Sequence, residues 1–144
     1  MRLDLYQSET AMIAQEQSSL LDEARARIAS GQALTRLEMN GVLHAIQVLV
    51  ENSIGKAKHL LKAAGEQVPV SAYDAFSQLV NKSIIPSDKL HMWNAAIGLR
   101  NRIVLDYMNI DMELVLGIVA SGQYQFITDF LLSSELFNPS RIDT

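Results

Sequence analysis

Cysteine is absent from this 144-residue chain, which removes disulfides, thiolate nucleophiles and thiolate zinc sites and leaves the redox compartment open. Proline is scarce, at Pro69, Pro86 and Pro139 only, so long uninterrupted helices are permitted almost everywhere. No apolar run approaches the roughly 18 residues that a membrane-spanning helix requires. The opening Met1-Arg2-Leu3-Asp4-Leu5 also lacks the apolar stretch of a signal peptide. A cytoplasmic protein with no membrane partner is expected. Positive charge is in deficit: 12 Lys and Arg against 16 Asp and Glu give a net charge of −4 and a pI near 5.3. That balance argues against a broad electropositive surface for nucleic acid, because phosphate neutralisation supplies most non-specific affinity. A local basic cleft is still allowed. Nothing resembles a glycine-rich phosphate loop, a nucleophile elbow or a paired-carboxylate site.

What is present is apolar content, 49% hydrophobic against 19% charged, enough for one continuous core. Apolar residues recur mostly at three- and four-residue intervals, which predicts an all-α domain of about five helices. The first runs from about Ala11 to Ala29 through Met12, Ile13, Leu20, Leu21, Ala24 and Ile28, closed by Gly31. The strongest spans about Thr35 to Ala64, with Met39, Val42, Leu43, Ile46, Leu49, Val50, Ile54, Ala57, Leu60 and Leu61 on its buried side and Gly65 as its stop. Ser71 is a plausible N-cap for a short helix to about Leu79, and Pro86-Ser87-Asp88 starts a fourth with Leu90, Trp93, Ala96, Ile97 and Val104 inward. A fifth is expected as one helix from Met112 to about Leu132, capped by Asn109 or Asp111. Residues 1–136 form one domain on this reading, and 137–144 a loose polar tail.

The segment that carries chemistry is Arg100-Asn101-Arg102-Ile103-Val104-Leu105-Asp106-Tyr107, near the end of the fourth helix. On an ideal helix Tyr107 would lie about 20° from Arg100 and Leu105 about 140° round, so Arg100 and Tyr107 would share a face. Taken alone, two arginines at a helix end are most often a surface pair favoured by the helix dipole. Of the three histidines, His91 is on the order of 13 Å along the helix from Arg100; His44 is expected to be semi-buried and His59 solvated. Asp88 and His91 have the i, i+3 spacing of a bundle metal site, but no second such pair exists, and neither metal nor cofactor is expected.

Residues 100–107, with the Val68-Pro69 loop, Asp74-Ala75-Phe76, the Ile84-Ile85-Pro86 turn and Ile110-Asp111, resemble the HEPN superfamily, and most closely its HepT-type toxins, from Gly41 to Leu132. The family signature is an arginine, usually a polar residue next, a histidine after four to six intervening residues, and a tyrosine two positions later. Arg100, Asn101 and Tyr107 match at the shortest spacing, and Leu105 occupies the histidine slot. The resemblance implies an up-and-down helical bundle that forms a symmetric homodimer, whose groove joins two signatures into a metal-independent endoribonuclease acting on mRNA or tRNA. It gives Arg100, with Arg102 beside it, to the phosphate, the histidine to proton transfer, and Asn101 to support. It also implies a type VII-like toxin–antitoxin pair, in which a cognate minimal nucleotidyltransferase adenylylates the tyrosine, here Tyr107.

Leucine has no titratable group, so catalysis is expected to be lost in this chain. Arg100, Asn101, Asp106 and Tyr107 still match an active motif, and a histidine codon becomes a leucine codon by one base change. The substitution therefore reads as a recent inactivating one, engineered or spontaneous. A different class of reading is a non-catalytic binding subunit that docks a nucleotidyltransferase.

Overall fold

The computed structural model describes residues 3–134; the expected tail, 137–144, lies outside them. Those residues form six α-helices: α1 Leu3–Ala29, α2 Arg36–Ala63, α3 Ala72–Asn81, α4 Leu90–Leu105, α5 Met112–Ser121 and α6 Gln125–Leu132. Two 3₁₀ turns, Ser87–Lys89 and Tyr107–Asn109, precede and follow α4. No strand occurs among the described residues, so the all-α expectation holds. No single helix among them is long and apolar enough to cross a membrane.

Local chemistry explains most boundaries. Thr35 accepts from the Glu38 amide at 3.1 Å while the Glu38 carboxylate accepts from the Thr35 amide at 2.8 Å, a reciprocal cap on α2. Ser71 and Asp111 cap α3 and α5 in the simpler one-way form. Glycines at positive φ end α1 and α2, at Gly31 and Gly65.

α2 is the spine, packed against α1, α3, α4 and α6. Its Leu49, Val50, Leu60 and Leu61 are fully buried, as are Leu21, Phe76, Leu79, Val115 and Leu131 from the helices around it. Trp93 joins α3, α4 and α6: its ring stacks on Phe76 at 4.4 Å and meets Phe126 and Phe130 edge-on at 4.9 and 5.0 Å. Removing such a side chain costs about 3–5 kcal/mol, so this cluster fixes where α4 lies.

Three expectations are corrected. α1 begins eight residues earlier than Ala11, because its first turns pack through polar side chains: Gln7 donates to the Leu131 carbonyl at 2.9 Å and Thr10 is buried, while Met12 and Leu20 are exposed. The fifth helix is two helices, since Gly122 at φ 73 closes α5 and α6 departs at 61°. On α4 the inward residue near the end is Ile103, and Val104 is exposed.

Charge is also buried in this core. The Lys56 ammonium donates to the carbonyls of Phe130 and Ser133, both at 2.7 Å, and lies over the Phe130 ring. It thereby satisfies carbonyls at the end of α6, and burial pulls its pKa down to about 7.

Candidate functional site

α4 runs antiparallel to α2, as its two anchors show. Arg100 reaches Glu51, and seven residues later Tyr107 reaches Asn40. The Arg100 guanidinium donates from Nε at 3.1 Å and Nη2 at 2.8 Å to Oε2 of Glu51, and from Nη1 at 3.1 Å to Oδ1 of Asn101. Of its five N–H groups, one on each terminal nitrogen is left for an anion. The pair is partly exposed, its side chains retaining 29% and 36% of their accessible surface. Such a pair contributes about 0.2–1 kcal/mol to stability, so its main effect is to hold the guanidinium in one orientation.

The expected sharing of a face by Arg100 and Tyr107 is overturned. Asp106, at φ −144 and ψ 44, leaves helical geometry, and its amide makes the last α4 bond to Arg102. Its carboxylate then accepts from Asn109 at 2.7 Å, which fastens a 3₁₀ turn in place of another helical turn. Tyr107 therefore sits on an elbow, 47% exposed, and donates its hydroxyl to Asn40 of α2. Asn40 and Glu51 are about 16 Å apart along α2, so Arg100 and Tyr107 are held at separate levels of that helix.

Asn101 and Leu105 are one helical turn apart, Leu105 lies between Asn101 and Arg102 in angle, and Arg102 is on the side of α4 away from Arg100. Arg100 and Arg102 thus do not converge from a single α4. Leu105 is 82% exposed and Met108 89%. A histidine at position 105 would stand one turn beyond Asn101, which in turn touches Arg100.

His44 and His59 are placed differently from expectation. His44 is exposed, on the same stripe of α2 as Asn40, Gln47 and Glu51 but about 10 Å along the axis from Glu51. His59 is half-buried, stacked on Tyr6 at 4.0 Å with Nδ1 2.9 Å from the Gly55 carbonyl oxygen. His91 lines an apolar groove of about 540 Å³ between α4 and α5, floored by Ile46, Leu49 and Ile127. No cluster of three metal-ligating His, Asp or Glu side chains occurs among the described residues.

Glu51 and Asn40 escaped the sequence reading, although a signal existed. Asn40, His44, Gln47 and Glu51 form a polar stripe at i, i+4, i+7 and i+11 along an otherwise apolar helix.

Comparison with known proteins agrees with this architecture. Neither the comparison with curated proteins nor that with solved structures gives a match. A family model described as HepT-like ribonuclease matches residues 14–132, which include every α4 and elbow residue above. The chain belongs to the HepT-like ribonuclease family.

Proposed function

We propose that this chain is the toxin component of a type VII-like toxin–antitoxin pair, a metal-independent endoribonuclease whose proton-transfer position is occupied by Leu105. The carrying observation is the Glu51–Arg100–Asn101 network, a preoriented cation whose partner Asn101 stands one turn from an exposed residue 105. In the active form, Arg100 neutralises a backbone phosphate while a base removes the ribose 2′-hydroxyl proton. The 2′-oxygen–phosphorus bond forms, the bond to the 5′-oxygen breaks, and an acid returns a proton to that leaving oxygen. Arg100 and Asn101 remain for the first task, and nothing at position 105 performs the proton transfers.

Two copies complete the site. The apolar groove between α4 and α5, with exposed Leu114 on its lining, and the exposed Leu105 and Met108 at and after the end of α4 favour a homodimer joined along α4. That arrangement lets Arg102 of one copy face the signature of the other. The partner antitoxin is a minimal nucleotidyltransferase that modifies Tyr107.

Restoring the histidine tests the reading. Leu105→His is expected to degrade RNA and arrest growth, and Leu105→His with Arg100→Ala is expected to do neither. A benign Leu105→His product would instead favour a non-catalytic subunit that docks a nucleotidyltransferase.

A further inference from the structure

A second cleft, of about 530 Å³, opens on the side of Arg100 away from the elbow, between α2, α4 and the start of α3. Its polar lining is Glu51, Lys58, Ser71, Tyr73, Arg100 and Asn101. Its volume is that of a small-ligand site. The Arg100 charge is balanced by Glu51, which leaves Lys58 as the excess cation. Lys58 donates one hydrogen bond to the Val70 carbonyl at 3.0 Å, which ties the loop before α3 to α2 and fixes the ammonium at the cleft. Two of its three N–H groups remain for an incoming acceptor.

Tyr73 supplies a different surface. It is 40% exposed, and its hydroxyl lies 3.7 Å from the point where a side chain on Gly98 would begin. The phenol thus extends across α4 at its one glycine and forms a wall of the cleft. A half-exposed aromatic ring in one cleft with cations from two helices is the combination by which proteins hold single-stranded nucleic acid without reading its sequence.

We propose that this cleft binds the RNA nucleotide adjoining the scissile phosphate, its base against Tyr73 and its outer phosphate at Lys58, while Arg100 holds the phosphate that is cut. This assignment rests on the ribonuclease reading above, which supplies the phosphate at Arg100. It adds a binding subsite outside the signature and predicts a substrate that is single-stranded there, because a paired base cannot turn its face to Tyr73.

The test uses the chain with Leu105 in place, a five-nucleotide 2′-O-methyl RNA that cannot be cleaved, and inorganic phosphate as a second probe. Titration calorimetry is expected to show that the full chain binds the oligonucleotide, that Tyr73→Ala weakens it about tenfold, and that Tyr73→Phe restores it. Inorganic phosphate binding is expected to be unchanged in Tyr73→Ala. Lys58→Met is expected to weaken both probes and to lower the slope of log affinity against log salt by about 0.7, which loosening the Val70 loop alone would not do. Absence of oligonucleotide binding overturns the subsite, as do affinities unchanged in Tyr73→Ala and Lys58→Met chains that melt normally. Cleavage by Leu105→His does not enter these readouts, so the subsite and the ribonuclease reading fail separately.

Discussion

Arg100 places two guanidinium nitrogens, Nε at 3.1 Å and Nη2 at 2.8 Å, on a single carboxylate oxygen of Glu51. The carboxylate therefore both aims the arginine and offsets its charge. In the Leu105→His background, Glu51→Ala is expected to lower kcat on the order of 100-fold, because a freed side chain no longer holds the phosphate at attack geometry. KM for RNA is expected to fall as well, since the unpaired cation attracts phosphate more strongly. Single-turnover kinetics on a short RNA separates the two effects, and an unchanged kcat would remove Glu51 from any positioning role.

Leu114 is 59% exposed and lines the groove between α4 and α5. A second copy laid along α4 would bury this surface at roughly 25 cal/mol per Å² of apolar area. Light scattering at micromolar concentration is expected to give a dimeric mass for the parent chain. Leu114→Glu is expected to shift it toward monomer while circular dichroism stays helical. A monomeric parent would refute the composite site.

Legibility in the sequence followed the range of the interaction. Thr35 with Glu38, Ser71, Pro86 and Asp111 mark helix starts through contacts within four residues, and each is readable as a local pattern. Gly122 was equally visible, yet an apolar run on both sides of it suggested one helix where its left-handed backbone makes two. The elbow at Asp106 carries neither glycine nor proline, so an ideal helix was extended through Tyr107 and the two motif residues were put on one face. The start of α1 carries no such signal because its buried side chains there are Gln7 and Thr10, which leave no apolar periodicity. The partner of Arg100 is 49 residues away on another helix, and no local rule reaches that far.

Tyr124 is 2% exposed, and its hydroxyl donates to the Asp22 carboxylate, joining the α5–α6 turn to α1. Burial, reinforced by Asp22, pushes its pKa up to about 12. The unfolded chain loses that proton near pH 10, before the folded one does. The group's contribution is therefore complete below about pH 10 and is lost as pH rises through 12. A shift of this size corresponds to roughly 2–3 kcal/mol. Urea titrations between pH 9 and 12 are expected to show this alkaline loss in the parent and a flatter profile in Tyr124→Phe. Parallel profiles would show that the hydroxyl is not linked to folding.

Tyr107 needs neither a histidine nor ribonuclease activity to be modified. Its hydroxyl sits half-exposed on the elbow, hydrogen-bonded to Asn40 at the surface, and a partner's active site can approach it from solvent. With magnesium, ATP and the cognate nucleotidyltransferase, the Tyr107 oxygen is expected to attack the α-phosphate. An oxygen–phosphorus bond forms, the bond to the pyrophosphate oxygen breaks, and the phenolic proton passes to a base of the transferase or to solvent. Each adenylate adds at least one negative charge at the elbow, and charge-assisted bonds from Arg102 or its symmetry mate can retain it there. Intact-mass spectrometry is expected to show one or more adenylate increments on the Leu105 chain and none on Tyr107→Phe. The buried Tyr124 is inaccessible to a transferase, while Tyr6 and Tyr73 are the internal controls. An adduct mapping to any of those three, or no adduct with an active transferase, would sink the assignment.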